Sequence, residues 1–101
     1  MSGKPQLDER AIERLTDYRR NIDRIDLQLL ALLNERTRVV EKIGQVKQEY
    51  AMPVYEPKRE DEVFRNVLEH NSGPLPQDAV KRIFERIIDE MRTLQKVRIQ
   101  K

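Results

Sequence analysis

The chain has no cysteine, which removes disulfide frameworks and thiol chemistry. It has a single histidine, His70, so a His-rich metal site is excluded and a His-based triad has no support. Near a helix end, His70 reads as a solvated side chain. Glycine is scarce, at three residues. No run is long and apolar enough to span a membrane, and no signal peptide opens the chain, so a cytoplasmic location is expected. Charge of one sign is missing too. The 20 basic and 18 acidic residues leave a net charge of only +2 and alternate in sign. The one-signed patch of a nucleic-acid binder is therefore absent. There are no repeats, no low-complexity tracts and no strand-like alternation.

What is present suits helices. Hydrophobic and charged residues each make up 38% of 101 residues, enough for one small domain. The organising stretch is Arg19 to Lys47, RRNIDRIDLQLLALLNERTRVVEKIGQVK. Ile22, Ile25, Leu29, Leu32, Val40 and Ile43 recur every three or four residues. At 100° per residue they all lie within roughly 40° of Arg36, and Lys47 lies about 20° from it. Two cations thus stand in the middle of an apolar stripe, roughly 16 Å apart along the axis. Either they snorkel or pair with a carboxylate of a neighbouring helix, or the stripe lines a pocket for an anionic ligand.

Residues 1–7 read as a flexible tail, followed by one helical domain over 8–101. Asp8 is a candidate N-cap, with Ile12 and Leu15 opening the pattern. Nothing stops this first helix before Pro53. It could run some 40 residues, or about 60 Å, against a radius of gyration of about 13 Å for a compact domain of this size. Such a helix needs a partner surface, and a homodimer is the simplest supplier. Pro57, flanked by Glu56 and Glu60, starts a second helix that runs to about His70 with Val63, Phe64, Val67 and Leu68 on its apolar side. Residues 71–76, NSGPLP, break it. A third helix begins near Gln77 or Asp78, with a stripe of Val80, Ile83, Phe84, Ile87, Ile88, Met91 and Leu94. Gln95 lies about 40° from Met91 and faces inward. That amide is either a polar residue at the edge of the core or part of a site. The exposed charges Lys81, Arg82, Arg86 and Arg92 read as a solvated helix surface, the alternative being a docking face.

Taken together, these pieces resemble the all-helical chorismate mutases, the AroQ class. The pieces are Arg19 followed by I-D-x-I-D-x-x-L-L-x-L-L-N-E-R ending at Arg36, and V-x-x-I-G-x-V-K ending at Lys47. P-V-Y-E-P-K-R-E over Pro53 to Glu60 follows, then I-F-x-x-I-I over Ile83 to Ile88 with Gln95 downstream. The resemblance covers about Leu15 to Gln95. The P-x-R-E segment, Pro57 to Glu60, and the I-F-x-x-I pattern from Ile83 look most like the bacterial forms sometimes joined to the enzyme that opens the shikimate pathway. The resemblance implies an all-α fold: an intertwined homodimer of three-helix subunits, with active sites shared between chains. It also implies rearrangement of chorismate to prephenate on the route to Phe and Tyr, with no cofactor and no metal. Docking to a larger shikimate-pathway enzyme is a further expectation.

On that resemblance Arg36 would clamp one substrate carboxylate. Arg19, about 100° round the helix from Arg36, would serve the partner's site. Lys47 would reach a carboxylate and the ether oxygen, and Gln95 would donate to that oxygen. Glu60 would accept from the ring hydroxyl. Glu56 matches an acidic position near that hydroxyl and would contribute backbone contacts, while Arg59 would support the site. Met91 departs from the pattern, because better-known members carry a small hydroxyl residue there, near a carboxylate. The rival readings are an isochorismate pyruvate lyase-like enzyme, a non-catalytic regulatory or dimerisation module, and a plain coiled coil. The last would place apolar residues where Arg36, Lys47 and Gln95 stand.

Overall fold

The computed structural model describes residues 8–99, and side chains as far as residue 97. The expected tail, 1–7, lies outside the described residues. Three helices follow in order: α1 (Glu9–Glu49), α2 (Pro57–His70) and α3 (Gln77–Ile99). Among the described residues there is no strand, and no helix is long and apolar enough to cross a membrane. The chain divides within α1 into two units, Met1–Arg36 and Thr37–Lys101.

In the first unit, Asp8 caps α1 as expected. Its Oδ1 accepts from Arg10 N at 2.9 Å, satisfying one of the otherwise unpaired first-turn amides. Thr16 Oγ1 donates back to Ile12 O at 2.8 Å, and Asp17 pairs with Arg20 at 3.6 Å on the open surface. The apolar stripe is largely in water: Ile22, Ile25 and Leu29 are exposed, and Leu32 is 61% exposed. Each such side chain left uncovered forgoes about 1.5–3 kcal/mol.

In the second unit the core consists of Val40, Val80 and Ile88. α2 packs on α3. Half-buried Val63, Phe64, Val67 and Leu68 supply the apolar side of α2, and Phe84, Ile87, Met91 and Leu94 that of α3. Ile83 departs from its expected stripe and is exposed. On α1 the buried positions are Val40, Gly44 and Lys47, one line at helical spacing. Val39, Ile43 and Val46, on the other flank of the stripe, stay exposed. Periodicity marks the stripe, but only its one flank is used within the chain.

α1 ends at a backbone turn and not directly at Pro53. Met52 N donates to Lys47 O at 2.7 Å, and Ala51 N to Gln48 O at 3.4 Å. These are the two bonds of a Schellman closure, which needs a left-handed residue between them. That residue is Ala51, at φ 52°. A left-handed alanine costs about 1–2 kcal/mol.

Pro57 opens α2 at its first turn, where a missing N–H costs nothing, and Glu60 N donates to Glu56 O at 3.1 Å. The 71–76 breaker is organised by Asn71. Its Nδ2 donates to Leu75 O at 2.9 Å and to Gln77 Oε1 at 2.6 Å, and its Oδ1 accepts from Gly73 N at 3.0 Å. Gly73 takes φ 82°, and the Gly73–Pro74 peptide is cis.

Candidate active site

Two polar side chains are buried among the described residues, Lys47 at 6% exposure and Gln95 at 8%. The helical angles place three polar side chains on apolar faces, and the third, Arg36, is half-buried. Lys47 Nζ donates to Glu56 Oε1 at 2.7 Å, to Val54 O at 3.0 Å and to Gln95 Oε1 at 3.4 Å. An ammonium has three donors, so all three are engaged. Burying an unpaired ammonium would cost several kcal/mol, and these contacts offset it. The contact to Val54 O follows the Ala51 turn, after which the chain comes back to the helix end that carries Lys47.

The Gln95 amide is oriented by the same contacts. Its Oε1 accepts from Lys47, and its Nε2 donates to Val40 O at 3.1 Å. An amide nitrogen has two hydrogens, and Val40 uses one. Gly44 leaves room beside this side chain: a Cβ built there would stand 3.6 Å from Gln95 Cγ, an ordinary contact. Among the described residues no buried side-chain nitrogen or oxygen lacks a partner.

A second cluster adjoins on α2 and α3. Arg92 Nε donates to Glu60 Oε2 at 3.1 Å, and Nη2 donates to the same oxygen. Arg92 Nη1 donates to Asp89 Oδ1 at 3.4 Å, and the guanidinium lies 5.1 Å from the centroid of the Tyr55 ring. The hydrogen bonds to Glu60 raise the Arg92 pKa above its ordinary value, while burial works the other way. Beside this cluster Thr37 Oγ1 donates to Met91 Sδ at 3.5 Å, so a hydroxyl does stand next to Met91.

The structure therefore brings together Lys47, Glu56 and Gln95, and places Glu60 one helical turn from Glu56. Arg59 is exposed and pairs with Glu62 at 3.2 Å. Arg19 is exposed and Arg36 half-buried and engaged, both on α1 in the first unit. Sequence reasoning missed Arg92, read as a solvated charge. Its side chain is only 26% exposed. The available signal was weak: Arg92 lies three residues before Gln95 and about 60° round α3 from it, at the edge of the apolar stripe. Lys81, Arg82 and Arg86 are exposed as expected.

The chain is similar to known proteins in sequence and in fold. Residues 18–96 match the family model described as chorismate mutase type II. The form II structure of chorismate mutase from Thermus thermophilus superposes with a TM-score of 0.80 and 34% identity, covering 82% of this chain and 94% of that one. The chorismate mutase of Methanocaldococcus jannaschii is 29% identical over 89 residues, which are 84% of this chain and 87% of that protein. The bifunctional chorismate mutase/prephenate dehydratase of Aquifex aeolicus is 38% identical over 89 residues, or 84% of this chain. The chain spans only about a quarter of the length of that relative, 25%. The matched range contains both clusters, and the chain belongs to the type II chorismate mutase family.

Proposed function

We propose that this chain rearranges chorismate to prephenate, as a chorismate mutase acting in a homodimer. The observation that carries the proposal is the pair Lys47 and Gln95, a buried cation and a buried amide held side by side. The reaction is pericyclic and intramolecular. It needs no nucleophile, only restriction of the substrate to its compact conformer and stabilisation of the charge that grows on the ether oxygen.

Lys47 faces the ether oxygen and a carboxylate, releasing its longest contact, the one to Gln95 Oε1, as the substrate enters. Gln95 donates its second Nε2 hydrogen to the ether oxygen. Preorganised donors of this kind are worth about 2.7–4 kcal/mol each in a transition state. Glu60 accepts from the ring hydroxyl, with Glu56 supplying backbone contacts beside it. Arg36 holds one carboxylate, Arg19 serves the site of the second copy, and Arg59 supports the assembly. The exposed apolar face of α1, including Ile22, Ile25, Leu29 and Leu32, is the surface a second copy covers. A cytoplasmic location belongs to the same reading.

The test is to incubate the purified protein with chorismate and identify the product. Prephenate supports the reading. Release of pyruvate from isochorismate, without prephenate formation from chorismate, would give the site to lyase chemistry instead.

A further inference from the structure

Two cation–carboxylate pairs stand one turn apart at the start of α2. Glu56 pairs with Lys47 of α1, and Glu60 pairs with Arg92 of α3. Arg92 in turn lies one turn before Gln95, which closes the circuit back to Lys47. We propose that Arg92 is a positioning residue for the reaction: it fixes the Glu60 carboxylate so that the free edge of that group meets the substrate's ring hydroxyl. This inference rests on the reading of Glu60 as the hydroxyl acceptor.

The geometry is specific. Both Arg92 donors, Nε and Nη2, go to one oxygen, Oε2. Oε1 takes neither. Two guanidinium donors converging on one oxygen fix the position of that oxygen and leave Oε1 outside the fork. A glutamate left alone would sample several rotamers and lose about 1–2 kcal/mol of side-chain entropy when it bound. Holding it beforehand removes that cost from the binding step.

Arg92 is itself held from two further sides. The Tyr55 ring faces its guanidinium at 5.1 Å, and Asp89, one turn earlier on α3, accepts from Nη1 at 3.4 Å. The partners come from three parts of the chain: the link before α2, α2 itself and α3. With side-chain exposures of 26% and 21%, the Arg92–Glu60 pair is shielded from water more than the surface pairs Arg59–Glu62 and Arg86–Glu90. An ion pair that merely ties α2 to α3 would change stability and leave substrate affinity alone.

The experiment is steady-state kinetics with chorismate on the full chain, for Arg92→Leu and Arg92→Lys, each in the native and the Glu60→Ala background, with thermal melts in parallel. A hydroxyl contact made equally in the bound substrate and the transition state acts through KM. Arg92→Leu should raise KM about tenfold with kcat within about twofold, and Arg92→Lys should recover part of the loss. In the Glu60→Ala background Arg92→Leu should add nothing further. Unchanged KM with a lowered melting temperature would overturn the proposal. An undiminished effect in the Glu60→Ala background would also overturn it, because Arg92 would then act without Glu60. If Glu60→Ala itself keeps the native KM, the reading of Glu60 as hydroxyl acceptor fails, a result distinct from failure of Arg92 alone. Should Arg92→Leu not fold, the Lys variant carries the same comparison.

Discussion

Gln95 holds its amide between two partners on α1: Oε1 accepts from Lys47 Nζ at 3.4 Å, and Nε2 donates to the Val40 carbonyl at 3.1 Å. These contacts fix which end of the amide faces Lys47. They also make the two side chains one electrostatic unit, so disturbing either one disturbs the other.

Lys47→Ala should abolish turnover without unfolding the chain. Loss of a charge-stabilising donor of this kind costs roughly 10²–10³ in rate, and more when it also binds a carboxylate. Glu56 is 43% exposed at its side chain and returns to water when its partner is removed. Circular dichroism and turnover, measured on one preparation, check this. A chain that unfolds would mark Lys47 as a core ion-pair partner first.

Ala51→Gly should stabilise the protein. Glycine takes φ 52° without the steric cost that alanine meets there, although it gains freedom in the unfolded chain. The expected net gain is about 0.5–1 kcal/mol, a rise of about 2–8 °C in Tm for a domain of this size. The turn also presents the Val54 carbonyl to Lys47, so activity should persist.

A charge on the exposed α1 stripe should separate the proposed dimer. Leu32→Asp leaves α1 intact as an isolated surface change but would bury an unpaired carboxylate in a dimer interface. Sedimentation should show a shift from dimer to monomer, and activity should fall with it. A variant that sediments as the native protein does would place the interface elsewhere.

Arg19→Ala and Arg36→Ala chains, each inactive alone, should recover activity when mixed and reassembled. One of the two sites in a mixed dimer would then carry both arginines. Reassembly followed by assay checks this, and no recovery argues against sites shared between chains.

Much of the fold is legible in the sequence because proline and the Asn71–Pro76 breaker punctuate it. Pro57 stands at the first position of α2, and α2 ends at His70 as the breaker requires. Lys47 and Gln95 are legible for another reason: their helical angles put polar groups on apolar faces, and both are buried. The rest depends on tertiary geometry. The Val54 carbonyl is a backbone acceptor, which no side-chain pattern reveals. Ala51 adopts a conformation its residue type disfavours. Arg92 has the spacing of a surface charge until Tyr55 and Glu60 are brought to it. Periodicity also marks Ile43 and Val40 alike, yet only Val40 is buried within the chain.

The most direct test of the electrostatic account is the pH profile of kcat/KM for the native protein beside Gln95→Glu. An amide does not titrate. The Arg92 pKa is raised above its ordinary value by Glu60, so its charge, and the stability it contributes, is lost only as pH rises far above the working range. The account predicts native activity flat from about pH 6 to 8, because no titrating group stands at position 95. It predicts that Gln95→Glu gains activity as pH falls, because a carboxyl must be protonated to donate. A steep fall in the native protein across that range, or a variant as insensitive to pH as the native chain, would contradict it.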